Sequence, residues 1–155
     1  MDRYKRQITL MLSWSAVFIW MALIFSLSAQ PADESNGLSL KVTKIIIRVV
    51  YRFVDADSGE LAIGLEGMNH IIRKLAHFTA YLILGLLIMN AFRRSGVPVF
   101  KAFILSLIFC VLFAISDEVH QLFVPGRGAR VVDVLIDTAG VVVGEGICGK
   151  LFAGR

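Results

Sequence analysis

From Ile8 to Ala29 the chain runs 22 residues without a charge, directly after Arg3, Lys5 and Arg6. An α-helix needs about 20 apolar residues to cross the hydrocarbon core of a bilayer. A secretory signal has a shorter apolar region, roughly 7–15 residues. The run therefore predicts an uncleaved membrane helix, despite the small residues Ser26, Ser28 and Ala29 near its end. Composition extends the constraint to the whole chain. Hydrophobic residues make up 57% and charged residues 18%, and the mean hydropathy is +0.74. A soluble domain of this length has no use for so much apolar surface.

Three further apolar runs follow, at about 70–92, 99–121 and 130–152. Arg93-Arg94-Ser95-Gly96-Val97-Pro98 stops the first of them, and Pro125-Gly126 closes the second. The last carries Asp133, Asp137 and Glu145. A charge at a membrane-helix centre costs about 2.5–3.5 kcal/mol on insertion scales, so this helix must turn its polar face to the others. Gly140 and Gly144 give it a small-xxx-small surface for close packing. The predicted fold class is all-α: a polytopic membrane protein of four transmembrane helices plus one interfacial amphipathic helix, in a single domain over residues 1–155. The interfacial helix is expected at about 38–53, where Lys41, Lys44, Arg48 and Arg52 fall on one helical stripe among Ile45, Ile46, Val49, Val50 and Phe53. Asp55-Ala56-Asp57-Ser58-Gly59-Glu60 follows as an expected exposed acidic loop.

The net charge of +4 suits anionic lipid head groups. No basic run interleaved with aromatics stands in a polar context, so nucleic acid is not an expected partner. Cys110 and Cys148 lie inside apolar runs and read as buried thiols. The basic flank of the first helix predicts an inner (plasma) membrane, multi-pass topology with both termini cytoplasmic, although the 16 basic residues divide evenly between the two sides.

With four spans, the end of the first, the start of the second, the end of the third and the start of the fourth share one face. The polar residues gather at these ends. His70, Lys74, His77 and Tyr81 step by four, three and four, so they form one stripe. Asp117 and Gln121 are four apart; Arg130, Asp133 and Asp137 step by three and four. Ionisable groups in or beside spans are costly and face protein or a wet cavity, which makes them functional candidates. The expectation is a polar pocket, open to the outer side and lined by both signs of charge. Glu145, away from it, is expected to snorkel toward Lys150 or Lys101. His70 and His120 are expected at the water interface, and Trp14 and Trp20 in lipid or packing contacts.

Ser26-Leu27-Ser28-Ala29-Gln30, Lys74-Leu75-Ala76-His77-Phe78-Thr79-Ala80-Tyr81, and Asp117-Glu118-Val119-His120-Gln121-Leu122-Phe123-Val124-Pro125-Gly126-Arg127, followed by Asp133 and Gly140, occur in this order. This pattern resembles the VanZ-like family of small bacterial integral membrane proteins, over nearly the whole chain. The resemblance implies an effect on susceptibility to the glycopeptide teicoplanin. Members of that family often carry Asn where this chain has Asp137, which adds a possible charge to the pocket.

Three kinds of chemistry remain open for the pocket. It can bind without catalysis: Lys74, Arg127 and Arg130 would hold a phosphate or carboxylate, Asp117, Glu118 and Asp133 would orient those bases, and Gln30, Tyr81, Gln121 and Asp137 would complete the ligand contacts. Membrane lipids and a lipid-linked or phosphate-bearing envelope component are the expected partners. It can instead be a hydrolase or transferase site, with His77 as a general base oriented by a carboxylate and with Asp117 and Glu118 as the other catalytic candidates. Or the charges can be interhelical ion pairs that hold the bundle in register. Neither HExxH nor an Asp-x-Asp pair at these positions supports a metal site, none is predicted, and no cofactor follows from the residues.

Overall fold

The computed structural model describes residues 2–32, 37, 39–43, 45 and 60–153. Among these, every regular element is an α-helix. Four long helices run in order: α1 Asp2–Ser28, α2 Glu60–Arg94, α3 Val99–Gln121 and α4 Val131–Ala153. Three are long and apolar enough to cross a membrane, over Arg3–Ser28, Gly67–Arg94 and Val99–Gln121. The expected count of four spans is met at three by apolarity. Helix α4 equals α3 in length, at 23 residues, but Asp133, Asp137, Glu145 and Lys150 interrupt it.

Helix α4 solves its polarity by packing. Its most extensive contact is with α2, through the predicted small-residue surface. A Cβ on Gly140 would run into the Phe78 carbonyl, and one on Gly144 into the Leu82 carbonyl. One turn further along α2, Gly85 lies against the Val141 backbone in the same way. Only hydrogens at these positions let the two backbones approach so closely. Around this seam Val17, Tyr81, Leu84, Ile88, Cys110, Ala114 and Val141 form the buried core. Outward-facing Phe18, Ile19, Ile108, Leu112 and Leu135 remain exposed, as lipid-facing side chains do.

Helix α2 departs from expectation. It starts ten residues before the predicted His70, at Glu60, and runs 35 residues, roughly 52 Å at 1.5 Å per residue. That exceeds the ~30 Å hydrocarbon core. Hydropathy marks only the part of a helix that lies in lipid, so the extension was invisible to it. Glu60 is thus helical rather than part of an acidic loop, and residues 55–59 lie outside the described ones. In the connector, residues 39–43 and 45 are helical, within the predicted interfacial helix; the remainder, with Lys44, Arg48 and Arg52, lies outside the described residues. The described part touches protein as well as the exterior. Lys41 is exposed, while the buried Thr43 donates to Ser39 O at 2.8 Å and to Asn69 Oδ1 of α2 at 3.4 Å.

The turns fix the antiparallel order. Gly96, with φ +89°, ends α2: its N–H donates to Arg93 O and that of Val97 to Phe92 O. This is a Schellman cap, which needs the left-handed conformation. Between α3 and α4, Gly126 has φ +74°, and the Ala32 N–H donates to Pro125 O at 3.2 Å. The connector's start is thereby pinned to the loop that carries Arg127.

Candidate functional site

The bundle brings the C-terminal ends of α1 and α3 together with the N-terminal part of α4 and the middle of α2. Gln121 Nε2 donates to Ser28 Oγ at 2.8 Å, and both side chains are buried. Arg127 Nη2 donates to the Leu27 carbonyl at 3.5 Å. Lys74 Nζ stands 3.9 Å from Asp133 Oδ1. His77 Nδ1 stands 3.6 Å from Asp137 Oδ1, an ion-pair distance rather than a hydrogen bond.

These side chains wall a cavity of about 80 Å³. Arg73, Lys74, Arg127 and Arg130 line it with His77, Gln121 and Asp133. Four basic side chains and one carboxylate thus share the wall of a small space. The guanidinium of Arg127 is partly withdrawn from water. Burial, and next the charge of Arg73, pull it below the usual arginine range, while Asp117 and Glu118 act the other way. Its Nε is buried without a hydrogen-bond partner among the described residues.

The acidic side chains stand behind the wall. Glu118 Oε2 accepts the Arg130 backbone N–H at 2.7 Å, satisfying one of the orphan donors at the start of α4. Asp117 and Asp137 are fully buried. The surroundings of Asp117 include Ser28 and His77, but neither its oxygens nor those of Asp137 reach full hydrogen-bond geometry.

An apolar groove of about 350 Å³ adjoins the cavity between α1, the connector and α2. It shares Arg73, His77 and Arg127 with the cavity and adds Gln30, Ser28 and Tyr81.

The predicted residues therefore divide into three groups. Lys74, His77, Gln121, Arg127, Arg130 and Asp133 surround one cavity. Asp117, Glu118 and Asp137 are buried behind it. Gln30 and Tyr81 line the adjoining groove, Tyr81 with its hydroxyl buried and without a hydrogen-bond partner among the described residues. The carboxylate nearest His77 is Asp137; Asp117 and Glu118, the other catalytic candidates, stand further from it. Arg73 belongs to the cavity and was not among the predicted ligands. Its signal was its spacing of four from His77, which puts both on one side of α2. His70 is exposed, as expected. His120, at the same end of the bundle, is half-buried and lies against the Phe25 ring with centroids 4.3 Å apart. Trp14 and Trp20 take the packing role: Trp20 Nε1 donates to the Ala80 carbonyl at 2.9 Å and Trp14 Nε1 to Ser95 Oγ at 3.3 Å.

Glu145 corrects its expectation outright. It does not snorkel; it is 1% exposed and accepts a short hydrogen bond from Ser106 Oγ of α3. Among the described residues no group of three His, Cys, Asp or Glu side chains is placed to hold a metal ion. Cys110 and Cys148 are free and buried.

Membrane-length helices in antiparallel order, with a cluster of both charge signs where the ends of α1 and α3 meet α2 and α4, define a small polytopic membrane protein. Residues 13–152 match the VanZ/LLP1 family, and the chain belongs to it. Neither a curated protein nor a solved structure matches the chain.

Proposed function

We propose that this protein binds an anionic component of the cell envelope, a phosphate-bearing head group, in the cavity between α2, α3 and α4. The observation that carries the reading is the set of four cations facing one carboxylate across about 80 Å³. Like charges so close disfavour one another, and an anion between them relieves the repulsion. Arginine suits this role because its planar donors meet phosphate oxygens in pairs. The first turn of α4 borders the same cavity, and a helix N-terminus favours negative charge. In the cell, the cavity faces the outer side of the inner membrane, both termini are cytoplasmic, and occupancy alters susceptibility to teicoplanin. The resemblance to VanZ-like proteins supports that last step.

The test is titration of inorganic phosphate and glycerol phosphate into the purified full chain in detergent, by calorimetry. Arg127→Gln and Arg73→Gln should each weaken binding about tenfold or more, the size of one charge-assisted hydrogen bond. Equal affinity in both variants sinks the reading.

A second reading is hydrolysis or group transfer on such a head group. The His77–Asp137 pair at the cavity wall favours it, since a carboxylate beside an imidazole is the usual arrangement of an oriented general base. Phosphate release from a phosphorylated lipid, abolished by His77→Gln, would favour this reading over binding alone.

A further inference from the structure

The cationic cavity is one end of a longer track. The apolar groove that shares Arg73, His77 and Arg127 with it continues into a second apolar groove of about 460 Å³. The two grooves share Ile24, Leu27, Ile72, Ala76 and Ala80. The lining thus passes in order from charged, through mixed, to apolar. Trp20, whose indole donates to the Ala80 carbonyl, lines the apolar end. Small side chains at Ala76, Thr79 and Ala80 keep the α2 wall low.

The dimensions fit one kind of occupant. From Ile72 to Ile83 the track, its charged end at Arg73, Lys74 and His77 included, follows eleven residues of α2, roughly 16 Å at 1.5 Å each. Half of a ~30 Å hydrocarbon core is about 15 Å, the depth of one leaflet. A free anion would use only the cavity, and a neutral lipid only the groove.

We infer that the ligand is a phosphate-headed lipid, its head group among Arg73, Lys74 and Arg127 and a hydrocarbon tail along the groove between α1 and α2. This rests on the reading that the cavity binds an anion, and it assigns the tail a seat of its own. The charge is what distinguishes this occupant from bulk lipid, because Arg127 stands where cavity and groove meet.

Trp20 makes the inference measurable. The chain has two tryptophans, and Trp14→Phe leaves Trp20 as the reporter on the groove wall. Seven residues, about 10 Å of helix, separate Trp20 from Leu27 near the charged end. Bromines at mid-chain of a lipid tail would therefore lie beside the indole and quench it. The full-length Trp14→Phe protein is titrated with mid-chain brominated phosphatidic acid and with the matching phosphatidylcholine in mixed micelles. Phosphatidic acid should quench at roughly a tenfold lower mole fraction, the effect of one charge-assisted contact. Arg127→Gln should remove that preference. Ala76→Phe and, separately, Thr79→Leu should fill the groove and remove the quenching advantage while inorganic phosphate still binds. Equal quenching by both lipids, with inorganic phosphate still binding, means that the groove holds bulk lipid only and overturns the inference. Equal quenching with no phosphate binding overturns the anion reading itself.

Discussion

Asp133 faces the four cations of the cavity, yet its partner Lys74 is 3.9 Å away. The two side chains keep 31% and 23% of their surface exposed, and ion pairs that water can reach contribute little to stability. Its electrostatic effect on a bound anion is larger, because it lowers the positive potential where that anion would sit. Asp133→Asn should therefore strengthen phosphate binding several-fold, with folding nearly unchanged; calorimetry beside a thermal melt measures both. Weaker binding instead would make Asp133 an organiser of Lys74. At this scale the sequence was informative wherever helical spacing alone decides direction. Lys74 and His77, three apart, do share the cavity. Arg73, four before His77, flanks the stripe of Lys74, His77 and Tyr81, and a cavity accepts side chains from a wider arc than one stripe. The partner of His77 was illegible for a related reason. Asp117, Glu118 and Asp137 all lie near it in depth, and only the rotation of α3 and α4 about their axes chooses among them.

The pairing of α3 with α4 has its own polar clamp, at the end away from the cavity. Ser106 donates to Glu145, and both side chains are buried. Such interhelical hydrogen bonds are worth about 1–2 kcal/mol in membrane bundles. Glu145→Gln keeps an acceptor for Ser106 and should leave detergent stability close to that of the unaltered protein. Glu145→Ala strands the hydroxyl and opens a void, so it should lower stability by about 1–3 kcal/mol. A drop of that size in the glutamine variant would instead show that the carboxyl group itself is needed. Sequence reading sent Glu145 toward Lys150 or Lys101 because it weighed charge against the nearest charge. The buried hydroxyl of Ser106, 39 residues away in the chain, carries no comparable signal. By contrast, the bounds of α3 were legible to the residue, since Pro98 and the Pro125-Gly126 turn bracket it. A close-packing surface on α4 was legible from the spacing of four between Gly140 and Gly144, but that it meets α2 was not. The start of α2 was not, because Glu60, Glu66 and Asn69 interrupt the apolar residues between 60 and 69.

For the whole molecule, the end at which the charges gather decides which compartment supplies the ligand. The basic tally from sequence does not decide it; what favours an outward cavity is the basic flank Arg3, Lys5 and Arg6 ahead of α1. The fold ties the remaining ends to that choice. Ser28, Gln121, Arg127 and Asp133 share one end of the bundle. Trp14 with Ser95, and Ser106 with Glu145, mark positions toward the other. Gly128 and Ser95 are exposed and lie at opposite ends, so a single cysteine at each reports on orientation. Cys110 and Cys148 are buried, which keeps the background low, and replacing both with alanine removes it. In intact cells a membrane-impermeant thiol reagent should label Gly128→Cys and spare Ser95→Cys until the membrane is permeabilised. The reverse pattern would place the cavity in the cytoplasm, and its ligand would then be sought among phosphate-bearing lipids of the inner leaflet. Labelling of both in intact cells would mean that the chain inserts in two orientations, a result the even division of its 16 basic residues makes worth testing. Adding two lysines ahead of α1 should then collapse the mixture to the form with Gly128 outside, because positive flanks are retained on the cytoplasmic side.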